Sequence, residues 1–132
     1  MIMLSALKEF LYKISYIVPG YIIYLMILLI GSSLRIKTIG EEKVVKHHSR
    51  GKGVIYAVWH QATFIPGYYF LSKGIKLHVL TVSVYRGDVI SYTVNRLRHK
   101  AYQVSDEFTG LKDTKVLLQM SKEIKNGSYG AI

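Results

Sequence analysis

The sequence predicts an α/β fold: an N-terminal membrane helix, then an incomplete, largely parallel sheet with covering helices. Three observations carry that expectation. The run Ile14 to Leu34 is apolar and uncharged. Short β-branched runs after it alternate with stretches of helical periodicity. The last of these runs, Ser128 to Ile132, has no helical stretch behind it. Alternation of this kind implies parallel strands joined by crossover helices, and an apolar strand at the end of such a sheet needs cover.

At ~1.5 Å per residue the uncharged run is about 30 Å long, the thickness of a hydrocarbon core. Pro19 and Gly20 sit near its start, where a break is tolerated, and Tyr16, Tyr21 and Tyr24 suit an interface. Arg35, Lys37, Lys43, Lys46, Arg50 and Lys52 follow against Glu41 and Glu42, while the leader has Lys8 and Lys13 against Glu9. The positive-inside rule then expects a single N-terminal span in the inner (cytoplasmic) membrane, with the larger C-terminal part in the cytoplasm. A buried core helix, or a cleaved signal peptide ending near Gly31-Ser32-Ser33, are the alternatives. The expected organisation is an anchor over residues 1–35, a basic juxtamembrane segment over 36–52 and an α/β unit over 53–132.

Composition narrows the class. The chain has 132 residues, half of them hydrophobic, with 11 tyrosines, and its mean hydropathy is positive. That excludes a disordered tail. A net charge of +10, from 18 Lys+Arg against 8 Asp+Glu, attracts polyanions, either anionic lipid or nucleic acid. No aromatic-basic recognition motif accompanies the charge, so membrane lipids are the expected partner and nucleic acid is not. The absence of cysteine removes disulfides, Cys-ligated zinc and thiol nucleophiles.

Beyond the span, Val54 to Trp59 and Leu77 to Val84 are apolar runs preceded by glycines and read as buried strands. Gln61 to Ser72 between them is apolar, with Pro66 and Gly67 in the middle, and reads as a kinked or interrupted helix. Asp88 can cap a helix with Val89, Ile90, Val94 and Leu97 on one face and a basic last turn, Arg96 to Lys100. Ala101 to Val104 is a short strand. Gly110 opens a helix with Val116, Leu117, Met120 and Ile124 inward, and Asn126-Gly127 stops it before the final strand.

His60 follows the first strand directly, at the carboxyl edge where open α/β sheets place their sites. Two readings stand for it: a general base, or an imidazole hydrogen-bonded at a helix start. Arg86 suits phosphate contact through its planar guanidinium, and a solvated loop arginine is equally compatible. His47-His48 reads as a solvated pair rather than a metal site, and no metal is expected.

The run Val54-Ile55-Tyr56-Ala57-Val58-Trp59-His60 resembles the strand-then-Trp-His signature of a bacterial lysophospholipid acyltransferase-like family of formerly unknown function. Leu77 to Ile90 with Ser83 and Arg86-Gly87-Asp88, and the Lys125-Asn126-Gly127 turn before Tyr129, follow the same family's order. The resemblance runs from about Arg35 to the end. It implies that His60 removes the proton from a lipid hydroxyl, which then attacks an acyl thioester, acyl-CoA or acyl-carrier protein, with no cofactor bound. Trp59, Ser83 and Arg86 would contact substrate. The chain departs from the wider superfamily at Ile65, where an orienting carboxylate is usual, so Asp88, with Asp106 or Glu107 behind it, is the expected orienter of His60. It departs again where the family has Asp-Gly-Glu and Arg-Gly-Ser, having Arg86-Gly87-Asp88 and Val104-Ser105-Asp106. The family's Asp-Gly-Pro segment would come after Ile132. A truncated, non-catalytic lipid-binding protein is the alternative to the enzyme. Acceptor lipid, acyl chain and oligomeric state are not legible.

Overall fold

A computed structural model of the protein describes residues 2–59, 62–108 and 110–132. The chain runs α1 (Ile2–Ser33), α2 (Glu41–His48), β1 (Val54–Tyr56), α3 (Phe64–Ser72), β2 (Leu77–Val82), α4 (Tyr85–Arg96), β3 (Lys100–Val104), α5 (Leu111–Lys125) and β4 (Tyr129–Ala131). The four strands form one parallel sheet in the order β1-β4-β2-β3. The α/β class with a long apolar helix in front is therefore as the sequence predicts.

Strand order fixes the layers. The steps β1 to β2 and β2 to β3 move one way across the sheet and β3 to β4 moves back. Right-handed crossovers then put α3 and α4 on one face and α5 on the other. Val116, Leu117, Met120 and Ile124 turn inward on α5 as their spacing requires, with Met120 buried. Phe70, Leu77 and Ala131 form the core, with Tyr56, Val58, Ile75 and Val79 packed around them.

The last strand, in the run Ser128 to Ile132, is not an exposed edge. β4 lies between β1 and β2, pairing Tyr129 with both Val54 and Leu77, and Gly130 and Ala131 are buried. The edges are β1 and β3. Local reading of an apolar run sees its hydropathy but not its place in the strand order.

Pro66 produces no kink. Helix α3 begins at Phe64 after Thr63, so the proline falls in the first turn, where an N–H would have no helical partner anyway. Asp88 is likewise not a cap: α4 starts at Tyr85 after an extended Val84, and Asp88 sits one turn in.

The basic stretch over residues 36–52 contains a helix that hydrophobic periodicity did not reveal. Gly40, with φ 80°, turns the chain into α2, which has Glu41 and Glu42 in its first turn and Lys46, His47 and His48 in its last. That charge order matches the helix dipole. Tyr69 and Thr38 donate to the two Glu41 oxygens at 2.5 and 2.7 Å, and these donors hold the Glu41 carboxyl below its ordinary pKa. His48 bonds the Gly127 carbonyl at 2.7 Å and stacks on Tyr129 with ring centres 4.2 Å apart. It is a packing residue on a helix, not part of a solvated loop.

Helix α1 is long and apolar enough to cross a membrane by length and composition. It continues through Pro19 and lies lengthwise on α4 and α3. Tyr12 donates to Asp88 at 2.5 Å and Tyr85 to the Ser15 carbonyl at 2.8 Å, both at the start of α4. Thr93 shares its hydroxyl between the carbonyls of Gly20 and Val89. The Arg96 guanidinium, at the end of α4, lies 5.4 and 5.7 Å from the ring centres of Tyr21 and Tyr24. The two helices thus run side by side in the same direction. Gly31 then meets α3 so closely that a Cβ there would stand 2.2 Å from the Tyr68 ring. Tyr21 and Tyr24, which suit an interface in the sequence, are used here to dock α1 on Arg96.

The opposite face of α1 is aliphatic. Leu4, Leu7, Leu11, Ile14, Val18, Ile22, Leu25 and Leu29 follow one another three or four residues apart, each between 40% and 74% exposed. At about 100° per residue they form one stripe, and Lys8, Glu9 and Lys13 all fall off it.

Candidate functional site at the carboxyl edge of the sheet

The residues singled out in the sequence gather along the carboxyl edge. Beyond β1 the ladder continues: the Val58 N–H donates to the Ile132 carbonyl at 2.9 Å and the Ile132 N–H to the Tyr56 carbonyl at 3.0 Å. The extended chain therefore delivers Trp59 to this edge, 77% exposed. His60 and Gln61, and with them the expected base, lie outside the described residues. The chain is described again from Ala62, whose N–H donates to the Trp59 carbonyl at 2.8 Å.

Two strands away, Ser83 ends the β2–β3 ladder with its N–H on the Val104 carbonyl at 2.7 Å, leaving its side chain exposed. Arg86 follows on the exposed first turn of α4. Gly87 explains how that turn comes so close to the strand: a Cβ at this position would stand 1.5 Å from the Val82 carbonyl oxygen. Val84, the residue before α4, has no polar atom with which to cap it. The first N–H groups of α4 and the Arg86 guanidinium thus present positive charge to the edge, a combination that suits an anion.

Asp88 is engaged elsewhere. Gln103 donates to its Oδ1 at 2.8 Å and Tyr12 to its Oδ2 at 2.5 Å, so the carboxylate links β3, α4 and α1. β3 and β1 are opposite edges of the sheet, three strand spacings or roughly 14 Å apart. Asp106 and Glu107 are exposed in the turn after β3.

Asp113 is the acid that hydrophobic patterning does not single out. It is 3% exposed in the first turn of α5, where it accepts the Ser105 N–H at 2.9 Å and the Ser105 hydroxyl. It fastens the loop after β3 to the same edge. Its signal in the sequence is faint: an acidic residue in the first turn behind Gly110, which reads as dipole complementation alone.

An apolar cavity of about 230 Å³ opens between the second half of α1 and the start of α3. Ile27, Ile30 and Gly31 form one wall, and Phe64, Ile65 and Tyr68 the other. Ile65, five residues beyond His60, is therefore a cavity wall. Phe64 is four residues beyond His60, which bounds their separation at about 14 Å of chain. Around the edge itself Phe108, Leu111 and Ile132 are exposed along with Trp59. Among the described residues no three His, Asp or Glu side chains gather closely enough to hold a metal ion.

No family model, curated protein or solved structure matches the chain.

Proposed function

We propose that the chain transfers a fatty acyl group from acyl-CoA or acyl-carrier protein to the hydroxyl of a lysophospholipid or related lipid, a step of phospholipid metabolism, at the cytoplasmic face of a membrane. The observation that carries this reading is the cavity. Its wall is wholly aliphatic and aromatic, its volume suits part of an acyl chain, and the helix that forms one side starts within a few residues of His60. His60 takes the proton from the acceptor hydroxyl as that oxygen attacks the thioester carbonyl; the C–S bond breaks, its electron pair leaves with the sulfur, and the proton on His60 passes to that thiolate. Arg86 and the start of α4 hold the phosphate of acceptor or donor. Trp59 and Ser83 line the approach between them.

His60→Ala tests the assignment in the full chain, with lysophospholipid and each thioester donor. Transfer should vanish while vesicle association is retained; unchanged turnover excludes His60 as the base. Ile30→Phe, which enlarges a half-exposed side chain lining the cavity on α1, should shorten the preferred acyl chain.

A second reading is favoured by Asp88. Its carboxylate is occupied by Tyr12 and Gln103 and Ile65 holds no proton acceptor, so a lipid-binding protein without transfer activity has support. Under that reading the cavity still takes an acyl chain, and His60→Ala leaves lipid retention unchanged.

A further inference from the structure

We infer that α1 lies in the plane of one leaflet, its outer stripe in the lipid and its inner face on α4 and α3, rather than crossing the bilayer. A helix apolar on both faces needs two apolar partners. The fold provides one of them: from Tyr12 to Gly31, about 28 Å of helix, the inner side is held by Asp88, Tyr85, Thr93, Arg96 and Tyr68. Crossing the bilayer requires either stripping α1 from those partners or carrying α4 to bilayer depth. Arg86 and Arg96 lie on α4 and Arg98 and Lys100 just after it, and each is costly in hydrocarbon.

Lying flat has neither consequence. The stripe from Leu4 to Leu29, about 37 Å long, meets lipid along its whole length.

Charge selects lipid over a second copy of the chain as the stripe's occupant. Lys8 stands beside one end of the stripe, where Lys13 is paired with Glu9 at 2.8 Å, and Arg35 and Lys37 lie beyond the other, so each end keeps a net positive charge for the same anionic surface. Two chains of net charge +10 repel one another across a shared stripe.

The chain has no cysteine, so Ser5→Cys and Lys37→Cys each place a single thiol at one end of α1. The full chain is added to sealed phosphatidylcholine–phosphatidylglycerol vesicles and treated with a membrane-impermeant maleimide. Both thiols should react from outside, as fully as after detergent opens the vesicles. Val18→Glu and Leu25→Glu should each weaken binding about tenfold or more, and vesicles of phosphatidylcholine alone should bind less. A thiol protected until the vesicles open overturns the in-plane arrangement in favour of crossing. Failure to bind vesicles overturns it too, as does a soluble dimer that Val18→Glu dissociates. The labelling uses exposed polar positions, so it decides even where a stripe variant misfolds. Binding and labelling are read without substrate and do not depend on acyl transfer.

Discussion

The Tyr85 hydroxyl donates a 2.8 Å hydrogen bond to the Ser15 carbonyl, the acceptor that a backbone N–H at position 19 would occupy if that residue were not Pro19. The proline thus frees a carbonyl on α1, and the first residue of α4 takes it. Tyr85→Phe should loosen α1 by about 1 kcal/mol or less, the bond being exposed. Faster hydrogen exchange in α1 would show it. In Pro19→Ala the helix ladder supplies its own donor, so the same Tyr85 substitution should cost less there.

Asp88→Asn separates two roles for one carboxylate. Its amide oxygen still accepts from Gln103, but Tyr12 loses its charged acceptor. If Asp88 only docks α1, acyl transfer should keep its pH profile while exchange in α1 rises. A shift of the acidic limb of the profile to lower pH, with no change in α1, would identify it as the orienter of His60.

Asp113→Ala leaves the Ser105 N–H and hydroxyl without their acceptor at a nearly closed site. An unsatisfied buried donor costs about 1–3 kcal/mol, so the urea midpoint should fall accordingly. Asp113→Asn should recover part of the loss, because its carbonyl oxygen can take one of the two donors.

Gly87→Ala should destabilise by about 3 kcal/mol or more, since the new methyl meets the Val82 carbonyl and the backbone at the end of β2 has to shift to admit it. Thermal unfolding of that variant beside Gly40→Ala is informative. A Cβ at Gly40 has open space around it but a positive φ, so its cost should be smaller and purely conformational.

Acid should weaken the fold through His99. The Leu77 N–H donates to its Nδ1 at 3.2 Å, so Nε2 carries the proton and donates to the Gly67 carbonyl at 2.9 Å. Burial pushes the His99 pKa down, partly opposed by the Gly67 carbonyl, and burial also lowers that of His78. A depressed folded pKa means that the unfolded chain takes up the proton first. Stability is then complete above the ordinary histidine value of about 6.5 and declines as pH falls below it, levelling off beneath the folded pKa. Urea midpoints between neutral pH and about pH 5 should show this slope, and His99→Gln should flatten it.

The fold was legible where one periodicity ruled a segment. The spacing of Val116, Leu117, Met120 and Ile124 located the buried face of α5, and the glycine-bounded runs located β1 and β2. Helix α2 escaped because its stability comes from charge order and the left-handed Gly40 rather than from an apolar stripe. The docking of α1 escaped for a different reason: an all-round apolar helix has no phase to read, and its partners on α4 stand some seventy residues away. At the site, strand-to-helix order pointed to the carboxyl edge just after Trp59, while Ser83 was picked out by the family resemblance and Arg86 by its guanidinium as well. Asp113 and the cavity depend on how loops and helices meet, which no local pattern encodes.

The strand order also bears on the sequence in which the molecule assembles. β1 is paired with β4 alone, so the strand that leads into Trp59 has nowhere to settle until Tyr129 to Ala131 have left the ribosome. By then α3, α4 and the β2–β3 pair can already have met through contacts closer along the chain, and both α1 and α4 have been made. The β1 side of the site is therefore the last of these strand pairings to close, and substitutions in Tyr129 to Ala131 should release Trp59 while leaving Ser83, Arg86 and the α1–α4 packing in place.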